Sequence, residues 1–131
     1  MYNNIIEFTN STRTAQEAAD QIGCNVAQIA KSLVFKDEND SPVLVIASGI
    51  NRVDSERFKL FKADADYVKE KTGFVIGGVP PWGHKEKIKT FIDEDLKQYD
   101  KIWASSGKTN AVFETNFEEL VRETAGQVIK V

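Results

Sequence analysis

Cysteine and histidine occur once each in these 131 residues, as Cys24 and His84. A lone thiol forms no internal disulfide, and the two residues are too few for a structural zinc site. The expected compartment is therefore the reducing cytoplasm, with no metal and no cofactor. Long apolar runs are missing, so no membrane partner is expected. The opening "MYNNIIEFTN" lacks a basic stretch leading into an apolar one, so no secretory leader is expected. Charge of one sign is not in large excess, since the net charge is −3. That argues against a protein gripping a long nucleic-acid backbone such as DNA, but not against one touching the end of a strand. Standard catalytic signatures are absent too: there is no Gly-x-Ser-x-Gly elbow, Walker loop or His-Glu-x-x-His motif. A Cys24–His84 dyad is formally available. Cys24, however, follows a helix-ending glycine and reads as a small packed residue.

What is present fits one domain spanning residues 1–131, long enough to close its own core. "NIIEF" (4–8) reads as an opening strand. "TAQEAADQIG" carries a capping box, Thr14 with Glu17, and stops at Gly23. "NVAQIA" (25–30) is a single helical turn capped by Asn25. "KSLVFK" (31–36) and "VLVIAS" (43–48) form a hairpin around a polar turn. The second run is nearly all apolar, so it should be buried on both faces. "DSERFKLF" (54–61) starts at a good helix cap, Asp54, and "DADYVKEKTG" (64–73) is a further helix. "IKTFIDEDL" (88–96) runs from a strand into an acidic turn or helix. "KIWASSG" (101–107) and "NAVFET" (110–115) are strands flanking a polar turn. "NFEELVRETAG" (116–126) repeats the capping-box pattern with Asn116 and Glu119 and ends at Gly126, before a last strand, "QVIKV". The fold class is α/β: six or seven short strands in a mixed, mostly antiparallel, barrel-like sheet, with four or five short helices packed on it.

The loop "GFVIGGVPPWGH" (73–84) concentrates two of the three prolines, four of the eight glycines and the single histidine. Glycines let a ligand approach the backbone and let N–H groups face a cavity, and prolines fix the path of the chain. Taken alone, the loop reads first as a turn between strands. Its functional reading is a wall of exposed amides suited to a carbonyl or oxyanion. Lys31, at the start of a strand, either reaches solvent or points into a cleft and holds negative charge. "ASSGKTN" (104–110) offers Ser105, Ser106, Gly107 and Asn110 as polar groups at a strand end. Arg52, Lys85 and Lys87 are further sources of local positive charge.

These pieces occur together in a particular order. "STRTAQEAADQIGCNVAQIAKSLVFK", "PVLVIASGINRVD", "TGFVIGGVPPWGH", "FIDEDL" and "IWASSGKTNAVFET" cover nearly the whole chain. The chain resembles the YbaK-type aminoacyl-tRNA editing domains, which are related to the insertion domain of bacterial prolyl-tRNA synthetases. "AKSLVF" and "GGVPP-x-GH" are its most specific segments. The resemblance implies a free-standing deacylase that hydrolyses the ester of a small wrong amino acid, such as alanine or cysteine, on tRNA, with tRNA for proline the expected carrier. It implies Lys31, Gly77 and Gly78 as catalytic groups, the two glycine amides gripping the oxyanion. Ser32, Val79, Pro80, Pro81, His84, Ser105, Ser106, Gly107 and Asn110 become substrate contacts. Ser32 stands where alanine-specific members can carry asparagine. The implied partners are the aminoacyl-tRNA acceptor end and prolyl-tRNA synthetase. A non-catalytic module binding tRNA ends or a synthetase, or a small-molecule binder on the same cleft, are the alternative functions.

Overall fold

The computed structural model describes residues 2–131. Its strands are β1 (Asn3–Glu7), β2 (Ile29–Lys36), β3 (Pro42–Ser48), β4 (Phe61–Lys62), β5 (Lys89–Asp93), β6 (Ile102–Ser105), β7 (Ala111–Thr115) and β8 (Gln127–Ile129). Its α-helices are α1 (Ala15–Ile22), α2 (Ala65–Thr72) and α3 (Phe117–Thr124). Short 3₁₀ turns occupy Val26–Gln28 and Glu94–Gln98. All strands join one sheet in the order β1-β7-β6-β2-β3-β5-β8, with β4 added on β2. Pairs β2–β6, β3–β5 and β5–β8 are parallel and the other four are antiparallel. The mixed α/β architecture is the expected one, and the sheet is open rather than closed: β1 and β8 lie at its two ends.

β3 lies between β2 and β5, and Val43 through Ser48 are all buried. Its side chains alternate between two cores, as strand geometry requires. Leu44 and Ile46 pack with Ile92, Ile102, Phe113 and Leu120, while Val43 and Val45 pack with Leu60, Phe35, Phe58 and Phe91 on the other face. Both faces are covered, so the strand carries no polar side chain before Ser48.

The helix ends follow local chemistry. Thr14 and Glu17 form the capping box of α1, and Gly23 closes the helix in the left-handed region at φ 82°. Asp64 caps α2, and Gly73 ends it at φ 85°. At α3, Asn116 accepts from the Glu119 N–H, but the Glu119 carboxylate accepts from the Thr115 hydroxyl instead of completing a box. The left-handed residue there is Ala125, at φ 52°, not Gly126. Gly126 has a separate reason to lack a side chain: a Cβ would lie 3.0 Å from the Thr90 carbonyl and 2.9 Å from the Thr124 hydroxyl.

One expected helix is absent. Residues 55–59 form turns, followed by β4. Asp54 does accept from the Arg57 N–H, as a cap would. Lys59 then enters the left-handed region at φ 55°, and the Leu60 N–H turns back to the Ser55 carbonyl. Burial of Leu60 against Val43 and Val45 stops the helix after its first turn.

Candidate active site

The outer edge of β2 is shared by two strands that do not meet. β6 pairs with Ile29 and Ala30, and β4 pairs with Phe35 and Lys36. Between them Lys31–Val34 face a gap in the sheet, and a cavity of about 480 Å³ opens there. That volume suits a small ligand. Its walls are β2, the end of β6, Lys62 and Ala63, the segment Thr12–Ala15, and Ile76, Gly77 and Val79 of the glycine-proline loop. Ala15, Ala18, Ala30, Ala63 and Ala104 line it, and these small side chains leave the space unfilled.

The register separates Lys31 and Ser32, the two polar residues of β2 that face the gap. Lys31 stands opposite Ala47 and Ser32 opposite Ile46, so they project from opposite faces of the sheet. Both reach the cavity because it opens through the strand edge. The Ser32 hydroxyl is buried and has no hydrogen-bond partner, a state that costs about 1–3 kcal/mol. Lys31 is half-buried, and desolvation, assisted by the nearby Arg52 charge, pushes its pKa below the usual lysine value; Asp93 opposes that shift. The Asp93 carboxylate is itself buried and occupied by the Ser48 and Asp95 N–H groups and the Asn51 amide.

The charged residues on the cavity are Arg13, Lys31 and Lys62, without one aspartate or glutamate. This occurs in a chain with 20 acidic residues against 17 basic ones. Among the described residues, none of the three cations forms a salt bridge. Three cations without a salt-bridge partner around an apolar hollow are suited to an anionic ligand.

Of the residues singled out in the sequence, Lys31, Ser32, Gly77, Val79 and Ser105 line this cavity. Gly78, Pro80, Pro81, His84, Ser106, Gly107 and Asn110 do not. The Gly78 N–H donates to the Val75 carbonyl at 2.9 Å, closing a turn, so this amide is not free for an oxyanion. Gly77, at φ 86°, supplies the positive φ that the third position of such a turn demands. A Cβ on Gly78 would lie 3.1 Å from the Lys108 carbonyl carbon; its lack of a side chain lets the loop pack on the 105–110 turn. Gly107, at φ 107°, likewise lies under the Phe74 ring. Pro80 and Pro81 are fully buried behind the loop. His84 Nε2 donates to the Pro80 carbonyl at 2.5 Å, and its ring meets Phe74 edge-on. Asn110 is committed to the Phe8 carbonyl at 2.8 Å. Cys24 packs beside α1, in a different cluster from the Phe74 side of the loop where His84 lies, so no dyad forms.

A sequence profile for the aminoacyl-tRNA editing domain matches residues 9–123. The chain belongs to this editing-domain family. The match takes in every wall of the cavity, from Thr12 to Val112. Among curated relatives, the editing domain is 33% identical to "Uncharacterized protein YwhH" of Bacillus subtilis, over 90% of this chain and 79% of that one. It is 28% identical to the "Putative Cys-tRNA(Pro)/Cys-tRNA(Cys) deacylase EbsC" of Enterococcus faecalis, over 90% and 76%. Among solved structures, one described as "a putative trans-editing enzyme for prolyl tRNA synthetase" superposes with a TM-score of 0.88 at 42% identity, covering 96% of this chain and 83% of that chain. No helix is long and apolar enough to cross a membrane among the described residues.

Arg13 and Lys62 of this editing domain were not legible as site residues. Neither stands in a distinctive pattern, and only the fold brings them to the cavity. The one sequence signal was position: Arg13 directly precedes the Thr14 cap.

Proposed function

We propose that residues 1–131 act as one free-standing trans-editing deacylase in the cytoplasm, removing a small amino acid such as alanine or cysteine from mischarged tRNA. The tRNA for proline is the favoured carrier, and prolyl-tRNA synthetase is the enzyme whose errors it would correct. The observation that carries this reading is the acid-free cavity: three cations surround an apolar space of about 480 Å³. Such a site favours a ligand that pairs a small apolar side chain with phosphates.

In this reading, water attacks the ester carbonyl carbon. The carbonyl oxygen gains negative charge, and the bond to the terminal ribose oxygen then breaks as that oxygen takes a proton. Free amino acid and tRNA leave. An aminoacyl ester is already activated, so placing water matters more than a strong nucleophile. Lys31 and the Gly77 N–H stabilise the developing oxyanion. The Ser32 hydroxyl meets the amino-acid moiety, and Val79 with the alanine lining limits its side chain. Ser105 completes the far wall. Pro80, Pro81 and His84 hold the loop from behind; Ser106, Gly107 and Asn110 hold the turn on which it rests.

The test is release of amino acid from a panel of tRNAs charged with small residues, alanyl- and cysteinyl-tRNA for proline first. Lys31→Ala should lower turnover by about 10²–10³-fold, the usual loss for one oxyanion-stabilising group. No release from any tRNA in the panel sinks the reading, as does full activity in Lys31→Ala. Tight tRNA binding without turnover would favour the non-catalytic module instead.

A further inference from the structure

Gly77 and Arg13 are built against each other. A Cβ on Gly77 would lie 2.1 Å from Arg13 Cγ, 2.9 Å from Cδ and 3.0 Å from Nε. The aliphatic stem of Arg13 therefore crosses the bare Cα of Gly77, and any side chain there would displace it. The segment before Arg13 is held as well: the Thr12 N–H donates to the Thr109 carbonyl at 2.7 Å, and the Thr12 hydroxyl donates to the same oxygen. Gly78, next to Gly77, packs on the Lys108–Thr109 backbone. The Arg13 stem thus lies on the glycine loop, and both that loop and the residue before Arg13 rest on the Lys108–Thr109 backbone.

An exposed arginine ordinarily wanders and gives up side-chain entropy when it binds. This one is held at the cavity in advance, with no acid to neutralise it. Guanidinium presents paired donors matched to phosphate oxygens. Resting on the proposed function, we infer that Arg13 grips a phosphodiester of the tRNA 3′ end at the cavity mouth. Gly77 then has a second role as the seat that aims it, and the ester is set against Lys31 by an anchor outside the reacting atoms. Lys62, at the β4 end of the gap, is a second cation for the same strand.

The test uses the full chain and a fluorescently labelled single-stranded RNA ending in CCA, with anisotropy as the readout. Arg13→Ala should weaken binding about tenfold, the effect of a good charge-assisted contact. It should also flatten the log–log salt dependence by about 0.7, the share of one phosphate on a single strand. Arg13→Gln keeps a stem over Gly77 without the charge and should behave alike, which separates charge from folding. Gly77→Ala should reproduce the loss with Arg13 still present. Lys97→Ala, remote from the cavity, controls for net charge and should change neither quantity. With mischarged tRNA, Arg13→Gln should raise KM and leave kcat within about twofold, as loss of uniform binding does. The inference is overturned if wild-type protein does not bind the RNA, or if Arg13→Ala and Arg13→Gln bind as tightly as wild type. Arg13-dependent RNA binding in a protein that hydrolyses none of the charged tRNAs would uphold this inference while sinking the deacylase reading.

Discussion

At the residue scale, His84 shows how a single side chain can be conspicuous without touching the cavity. Its Nε2–H is bonded to the Pro80 carbonyl, and burial, the larger influence, holds its pKa below 6.5. The folded state therefore keeps the ring neutral where an unfolded chain would already bind a proton. The stability this confers is complete above pH 6.5 and is lost as pH falls from there through the folded pKa. Unfolding free energy measured between about pH 7 and pH 5 should fall less steeply in His84→Gln than in the parent. Equal slopes would show that burial does not hold the His84 pKa below its ordinary value. Ser32 is the converse case: marked in the sequence only through the family resemblance, it is a buried hydroxyl without a partner beside the cavity.

Among the elements, helix ends were the most legible features because the atoms that decide them are neighbours in the chain. Thr14, Asp64 and Asn116 cap their helices through N–H groups three residues on. The apolar run of β3 was equally plain, since burial on both faces leaves no polar position. Two elements were misread where distant contacts override local ones. Leu60 is drawn into the Val43–Val45 cluster and cuts short the turn that Asp54 begins. Gly126 drew the end of α3 one residue too far, because its glycine answers to crowding by β5 and not to φ. Ala125 consequently bears the left-handed conformation, which costs an alanine about 1–2 kcal/mol. Ala125→Gly should therefore stabilise the protein by about 1 kcal/mol in urea unfolding. A destabilised variant would mean that the Ala125 methyl contributes packing that outweighs its backbone cost.

For the whole molecule, the site is a consequence of sheet order. "AKSLVF" was legible as a strand and its lysine as a candidate. The sequence did not disclose that β6 and β4 would cover only the two ends of that strand. Pairing between residues roughly seventy positions apart, such as Ile29 with Trp103, leaves no local mark. Nor did the density of glycines in residues 73–84 say what each one was for. Gly77 serves a turn and an arginine, Gly78 a neighbouring backbone, and Gly83, at φ 89°, a close approach by Tyr2.

The interrupted edge of β2 also gives this strand two unlike sides. Amides of Lys31–Val34 that face β3 lie in an unbroken ladder, while those that face the gap have no strand beside them. Successive amides in a strand alternate in direction. Deuterium uptake along these residues should therefore alternate between slow and fast within one strand, a pattern that fraying from an end cannot produce. Occupation of the cavity should slow the fast set alone, so backbone exchange resolved by residue reports on ligand entry without a label or an assay of turnover.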